Sequence, residues 1–287
     1  MQRVCAVVLT HNRAAMLQTC LDRVAAQTRP PDHVLVVDNA SSDETPQVLA
    51  ERSGVEALRT GSNLGGAGGF AHGLRAALER DCDWIWILDD DAWPEPECLH
   101  ELLSGIGRAP EPPDLMTSAV RWRDGRLHPM NRPWFRHNRR GDFALAAGAG
   151  LVLVRAATSV STMVRRDALV RHGFHPEHYV VWIDDIEWTG RILREGIGYL
   201  VPESECVHMT AEAKGTIEDA RERFYFKARN QLWLLRAGRS FGGSERLFYA
   251  VAYVSAIRHY VRTSDSRVRA IKTVARGVRD GMRREPK

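Results

Sequence analysis

Four times within the first hundred residues a short β-rich run gives way to a helical pattern: residues 4–9 then 14–26, 33–37 then 43–52, 55–59 then 70–80, and 84–88 then 95–106. Strands separated by helices cannot pair as hairpins. They pair in parallel through crossovers, giving an α/β fold with a mostly parallel, twisted, Rossmann-like central sheet and flanking helices. In such sheets ligands bind beyond the carboxyl ends of the strands. Each run here ends in polar residues: Thr10-His11-Asn12-Arg13, Asp38 to Asp43, Ser62-Asn63 with its glycines, and Asp89-Asp90-Asp91. Four loops are therefore expected on one rim.

After Pro110 the pattern changes. Residues 121–140 are basic and aromatic with no regular helix, 144–154 and 159–164 read as strands, and 167–172 reads as a short helix. Residues 184–195 read as a helix with acids in its first turn and arginines in its last, as the dipole favours. A β-like run at 198–207 follows, and 218–237, 244–263 and 268–283 are helical. The expected organisation is a first domain over 1–216, divided at 110 into two halves that the family resemblance described below assigns to nucleotide and acceptor, followed by a helical region over 217–287. From Arg258 onward ten Lys or Arg face only Asp265, Asp280 and Glu285. That basic end suits either a solvated face or peripheral contact with an anionic membrane.

Hydrophobic content of 44% and charged content of 26% are those of a globular chain. The net charge of +4 is modest, and no nucleic-acid partner is expected. Five cysteines without a C-x-x-C pair point to a reducing compartment. The N-terminal apolar run is too short for a signal-peptide core, and no run of about eighteen apolar residues could span a bilayer. A cytoplasmic location, peripheral at the inner face of the membrane if the basic helices bind it, is the expectation.

The junction of Trp84-Ile85-Trp86-Ile87-Leu88 with Asp89-Asp90-Asp91 carries the chemistry. Three adjacent carboxylates repel one another unless a hard cation, Mg²⁺ or Mn²⁺, neutralises them. Strand alternation would point Asp89 and Asp91 one way and Asp90 the other; an acidic solvated turn is the simpler alternative. In Asn63-Leu64-Gly65-Gly66-Ala67-Gly68-Gly69 the glycines permit close approach to a phosphate or sugar, and a flexible turn would use them equally. Asp38 could accept from a base or ribose, or form an Asx turn. Asp184, Asp185 and Glu187, flanked by Trp182 and Trp188, either compensate a helix dipole or supply a general base beside an aromatic platform. His208 ends a β-like run and could ligate a metal or simply pack.

Taken together these residues resemble glycosyltransferase family 2, the inverting transferases of GT-A fold. The resemblance rests on Val7-Val8-Leu9-Thr10-His11-Asn12-Arg13, Val36-Val37-Asp38-Asn39, Asn63-Leu64-Gly65-Gly66 and Asp89-Asp90-Asp91, in order and at fitting spacing. Within that family Gln27-Thr28-Arg29-Pro30 and the run from Gly65 to Phe70 are most similar to galactofuranosyltransferases and rhamnosyltransferases of bacterial cell-envelope synthesis. The resemblance implies that Thr10 and Asp38 hold the nucleoside, with Asn12, Arg13 and Asp90 also at the substrate, and that Asn63, Gly65 and Gly66 flank the diphosphate and sugar. It further implies Asp89, Asp91 and His208 as ligands of Mg²⁺ or Mn²⁺, Asp185 as the base, and Trp182, Asp184, Glu187 and Trp188 as substrate contacts. Ile183 between Trp182 and Asp184 departs from the galactofuranosyl pattern. The implied reaction moves galactofuranose from a UDP-linked donor to a cell-envelope glycan or lipid-linked acceptor. The rivals are a rhamnosyltransferase using dTDP-rhamnose and a non-catalytic nucleotide-sugar-binding protein.

Overall fold

A computed structural model describes residues 2–136, 140–212 and 221–283. The expected domain boundary at 216 and the first residues of the helix expected from 218 lie outside these. Strands β1 (Val4–Thr10), β2 (His33–Asp38), β3 (Glu56–Arg59) and β4 (Trp84–Asp89) alternate with helices α1 (Ala14–Ala25), α2 (Thr45–Ala50) and α3 (Gly65–Ala77). They pair in parallel in the order β3-β2-β1-β4. Every residue of β1 is buried, as a strand covered by helices on both faces requires.

The second half departs from the mostly parallel expectation. It comprises β5 (Ala92–Pro94), α4 (Cys98–Arg108), β6 (Leu115–Arg121), β7 (Trp134–Phe135), α5 (Arg140–Gly148), β8 (Val152–Ala156), β9 (Thr162–Arg165), α6 (Arg166–His172), α7 (Asp184–Glu195) and β10 (Gly198–His208). Among the described residues the sheet has ten strands and continues β4-β9-β6-β10-β8-β7, with β5 also on β10. Here β9 is antiparallel to β4 and β6, and β10 is parallel only to β6, so the sheet is mixed.

Two local expectations are corrected. The run expected as a strand over 144–154 is split between α5 and β8, because the alanines at 144 and 146–147 favour helix and Gly150, at φ +71°, terminates it. Strand β6 was not anticipated: Met116-Thr117-Ser118-Ala119 carries little β-branched density, and its burial between β9 and β10 decides its state.

The glycine run is also placed differently: α3 begins at Gly65, so the glycines form its first turns. A Cβ on Gly69 would lie 2.4 Å from Leu9 Cδ1, and one on Gly73 would lie 2.5 Å from Val7 Cγ1 and 2.8 Å from Val37 Cγ2. They let α3 lie directly on β1 and β2. Gly73→Ala, which in an open helix would add about 0.5–1 kcal/mol of stability, is expected to cost about 1–3 kcal/mol by overpacking, read as a lower urea midpoint.

Helices α8 (Phe224–Ala237), α9 (Gly243–Thr263) and α10 (Arg267–Gly281) complete the chain. They do not stand apart. One hydrophobic cluster joins Trp233, Leu234, Phe241, Tyr249 and Tyr253 to Ala67, Tyr179, Ile183 and Ile186. Among the described residues no helix is long and apolar enough to cross a membrane.

Candidate active site

The carboxyl ends of β1, β2 and β4 open onto a cleft of about 1610 Å³ that reaches across to the start of α7 and to α8. At the end of β4, Asp89, Asp91 and His208 each present a ligand atom, all within 4.8 Å of one another. Asp90, in the turn that follows β4, is engaged elsewhere: its carboxylate accepts from Thr10 Oγ1 at 2.8 Å and from Arg13 at 3.0 Å. Arg13 also donates to Asp91 at 2.6 Å and supplies countercharge to the cluster.

The three acids are electrostatically distinct. Burial, with Asp91 and Asp90 adding repulsion, raises the Asp89 carboxyl well above its usual range. Burial pushes Asp90 up to about 6 against the pull of Arg13. Burial acts on Asp91 too, but the hydrogen bond and charge of His208, then Arg13, hold it down at about 2. A buried acidic cluster of this kind is relieved by a cation, and two carboxylates plus one imidazole are a donor set that fits a divalent ion.

His208 is oriented from behind. Its Nδ1–H donates to Asn131 Oδ1 at 2.7 Å, which leaves Nε2 facing Asp91 Oδ1 at 3.2 Å. An outer partner that fixes the tautomer is what a ligating imidazole needs. His128 lies against the His208 ring at 4.9 Å between centroids, and burial together with His208 pushes its own pKa down to about 4. Neither Asn131 nor His128 was anticipated, since both fall in the irregular stretch 121–140.

Across the cleft α7 presents Asp184 and Asp185. Asp184 accepts from His175 Nδ1–H at 3.1 Å, and His175 Nε2 in turn accepts from Ser159 Oγ at 3.3 Å. Asp185 Oδ1 accepts the N–H of Ile186 at 2.8 Å. Burial and the neighbouring Asp184 push Asp185 up to about 7, opposed by Lys227 of α8. Lys227 is pushed down to about 8 by its own burial. Lys227, Arg223 and Phe226 bring α8 into the cleft wall, a contribution no local motif announces.

Thr10, Asn12, Arg13, Asn63, Gly65, Gly66, Asp90, Trp182 and Asp184 line the cleft, as do Asp89, Asp91, His208 and Asp185. Asn63 Oδ1 accepts the Gly65 N–H at 2.8 Å, and Asn12 Oδ1 accepts the Ser42 N–H at 2.6 Å, so both side chains also shape their loops. The guanidinium of Arg223 stacks 5.2 Å over the Trp182 ring.

Three of the expected contact residues do not line the cleft. Asp38 is buried beside the rim, where it accepts the Ser41 N–H at 2.8 Å and pairs with Arg59, so the Asx-turn reading describes its side chain. Glu187 faces away from the cleft, where Arg191, Arg239 and Ser240 satisfy it. Trp188 is fully buried, with its ring against His175 and its Nε1–H on Gly173 O at 2.8 Å.

A parallel half joined to a mixed second half, with a cluster of carboxylates and an imidazole at the junction, is the layout of a GT-A glycosyltransferase. The glycosyl transferase family 2 profile matches residues 5–173. The chain belongs to glycosyltransferase family 2, and it is a glycosyltransferase enzyme.

Galactofuranosyltransferase GlfT1 of Mycobacterium tuberculosis is 30% identical over 214 residues, 69% of this chain and 67% of that protein. GlfT1 of Mycolicibacterium smegmatis is 51% identical over 106 residues, only 35% of this chain and 34% of that protein. The N-acetylglucosaminyl-diphospho-decaprenol L-rhamnosyltransferase of M. tuberculosis is 25% identical over 246 residues, 73% of this chain and 76% of that protein. Among solved structures, mannosyltransferase PcManGT from Pyrobaculum calidifontis, in complex with GDP-Man and Mn²⁺, superposes with a TM-score of 0.58 at 19% identity, covering 98% of this chain and 81% of that one. That likeness concerns the fold alone.

Proposed function

We propose that the protein is an inverting, metal-dependent galactofuranosyltransferase that uses a UDP-linked donor and a glycan or lipid-linked acceptor of the cell envelope. The observation that carries this reading is that Asp185 opens onto the same cleft as Asp89, Asp91 and His208. The GlfT1 relatives favour galactofuranose; the rhamnosyltransferase relative keeps a dTDP-rhamnose donor as the second reading.

In the proposed step Asp185 accepts the proton of an acceptor hydroxyl as that oxygen attacks the anomeric carbon from the face opposite the leaving group. The new C–O bond forms as the bond from the anomeric carbon to the diphosphate oxygen breaks, and the nucleotide diphosphate leaves with the electron pair. Asp89, Asp91 and His208 would hold Mn²⁺ or Mg²⁺, which when bound supplies Lewis-acid stabilisation of the departing diphosphate. Thr10 and Arg13 fix Asp90 beside it. Arg223 and Lys227 add positive charge on the α8 side.

A melting-temperature panel of UDP- and dTDP-sugars with Mn²⁺, Mg²⁺ or EDTA tests this, because a ligand that binds only the native state stabilises it by mass action. UDP-galactofuranose with Mn²⁺ is expected to give the largest rise, followed by release of UDP in the presence of an envelope extract. A larger rise with dTDP-rhamnose would transfer the reading to the rhamnosyl branch. Donor binding without turnover on any extract would make the protein a binding module.

The membrane part of the reading draws on α9 and α10. Leu247, Val251 and Val254, spaced 4 and 3 residues apart, form one exposed helical face that continues into Arg258 and Arg262; Phe248 is exposed beside it. On α10, Val268 and Ile271 are exposed among Arg267, Lys272 and Arg279. This surface matches the boundary of an anionic bilayer, where apolar side chains embed and each Arg or Lys adds about 1 kcal/mol. The protein is expected to sediment with vesicles containing phosphatidylglycerol and not with neutral ones, and a Leu247→Glu, Val251→Glu variant to stay in the supernatant. Equal sedimentation of the variant would reject this surface.

A further inference from the structure

Between the helical turn at Glu177–Tyr179 and α7, the chain passes through a reversal that three non-glycine residues make with positive φ: Val180 at 67°, Trp182 at 64° and Ile183 at 71°. Val180, with ψ −59°, is the centre of a three-residue turn closed by the Val181 N–H on Tyr179 O at 2.8 Å, the rare and strained hand of that turn. β-Branched residues are genuine outliers in this region of backbone space. Such a conformation persists only where its surroundings over-determine it. Two residues beyond lies Asp185.

The surroundings come from both ends of the chain. Val180 O accepts the N–H of Ala67 at 3.1 Å, from the first turn of α3, and Gly65 has no Cβ that would meet that carbonyl. The carbonyls of Tyr179, Val181 and Trp182 all accept from one atom, Nδ2 of Asn230, at 3.0, 3.0 and 2.8 Å. Asn230 is completely buried on α8, and its Oδ1 accepts from Arg229 Nε at 2.9 Å. Arg229 Nη2 donates to His178 O and Tyr179 O at 3.2 and 3.0 Å. The next turn of α8 back along the chain carries Lys227 into the cleft. Residue 230 lies beyond the segment that the family profile matches.

We propose that Asn230 is a positioning residue for the transfer reaction: its carboxamide clamps the strained turn at 180–183 and thereby sets the direction in which α7 presents Asp185 to the acceptor. The proposal rests on the reading of Asp185 as the base. It makes α8 part of the catalytic unit, because the turn that aims the base takes three of its carbonyl hydrogen bonds from Asn230. An apolar residue of similar size at 230 would fill the space and offer the three carbonyls no donor.

The test compares wild type, Asn230→Leu, Asn230→Leu with Val180→Gly, and Asp185→Asn in the full chain. Calorimetry with UDP and Mn²⁺ reads nucleotide affinity, UDP release from UDP-galactofuranose reads turnover, and hydrogen exchange reads the backbone. Asn230→Leu is expected to lower kcat at least tenfold with UDP affinity within twofold, and to speed exchange at the 180–187 amides while β1 and β4 keep their protection. Glycine at 180 makes the turn without strain, so the double variant is expected to regain part of kcat. A residue that merely supports folding would lower the melting temperature, leave kcat per folded molecule unchanged and show no rescue by Val180→Gly. Unchanged kcat and unchanged exchange at 180–187 in Asn230→Leu overturn the proposal, whatever the donor. Full turnover in Asp185→Asn would instead overturn the base assignment, and exchange at 180–187 would still report on the clamp.

Discussion

Asp185→Asn is expected to lower turnover by about 10²- to 10⁴-fold, the usual contribution of a positioned base, while affinity for UDP and Mn²⁺ stays near that of wild type. The amide keeps the shape of the carboxylate and its bond from the Ile186 N–H but cannot take a proton. The pH dependence follows from the charged groups that act on Asp185, namely Asp184 on the same helix and Lys227 of α8. Burial and Asp184 push its pKa up to about 7. A base acts when ionised, so kcat should climb roughly tenfold per pH unit below that value and level off above it. The same shift affects stability. The folded pKa is raised above the ordinary 3.8, so ionised Asp185 destabilises the fold above about pH 7, and that cost disappears as pH falls through 7 toward 4. Asp185→Asn should therefore melt higher than wild type at pH 8, with the gap narrowing as pH falls below 7 and closing near pH 4. Melting curves and kcat profiles over that range check both claims, and a variant with wild-type turnover would sink the assignment.

Asp91→Ala should be nearly as damaging by a different route. Asp91 is the acid that the site keeps charged, held at about 2 by His208 and Arg13 against its burial. Its removal takes one of the three candidate ligands, the carboxylate that faces His208 Nε2 at 3.2 Å. Loss of a Lewis acid worth several kcal/mol corresponds to a fall in turnover of about a thousandfold. Unlike Asp185→Asn, this variant should also lose the extra thermal stabilisation that Mn²⁺ adds to UDP binding. Titration of Mn²⁺ by calorimetry separates the two, and retention of Mn²⁺-dependent UDP binding in Asp91→Ala would remove this residue from the metal site.

Much of the site was legible where function is carried by neighbours in sequence. Strand alternation grouped Asp89 with Asp91 and set Asp90 apart, and the cleft has that grouping, although β4 ends at Asp89 and the turn after it makes the separation. Helix periodicity held information that the simple count of acids did not use. Asp185 and Glu187 lie about 200° apart on a helix of 3.6 residues per turn, so the second could not share the face of the first, and it is satisfied by Arg191 and Arg239 instead. Trp188 follows Asp184 by one turn and packs with it around His175. Asp38 was ambiguous in sequence because an Asx turn and a ligand contact ask for the same residue.

The sequence by itself determined the alternation of strands and helices, the parallel half of the sheet and the row of carboxylates at its edge, because each follows from residues within one or two turns or one pleat of each other. Only the tertiary structure decided that His208 is turned by Asn131, that α8 returns to place Lys227 in the cleft, and that Asn230 holds the turn before Asp185. These pairings join residues some fifty to eighty positions apart. No local propensity encodes them, since they exist only once buried apolar surface has brought the helices onto the sheet and left each enclosed carbonyl and carboxylate to be matched by whatever donor then stands beside it.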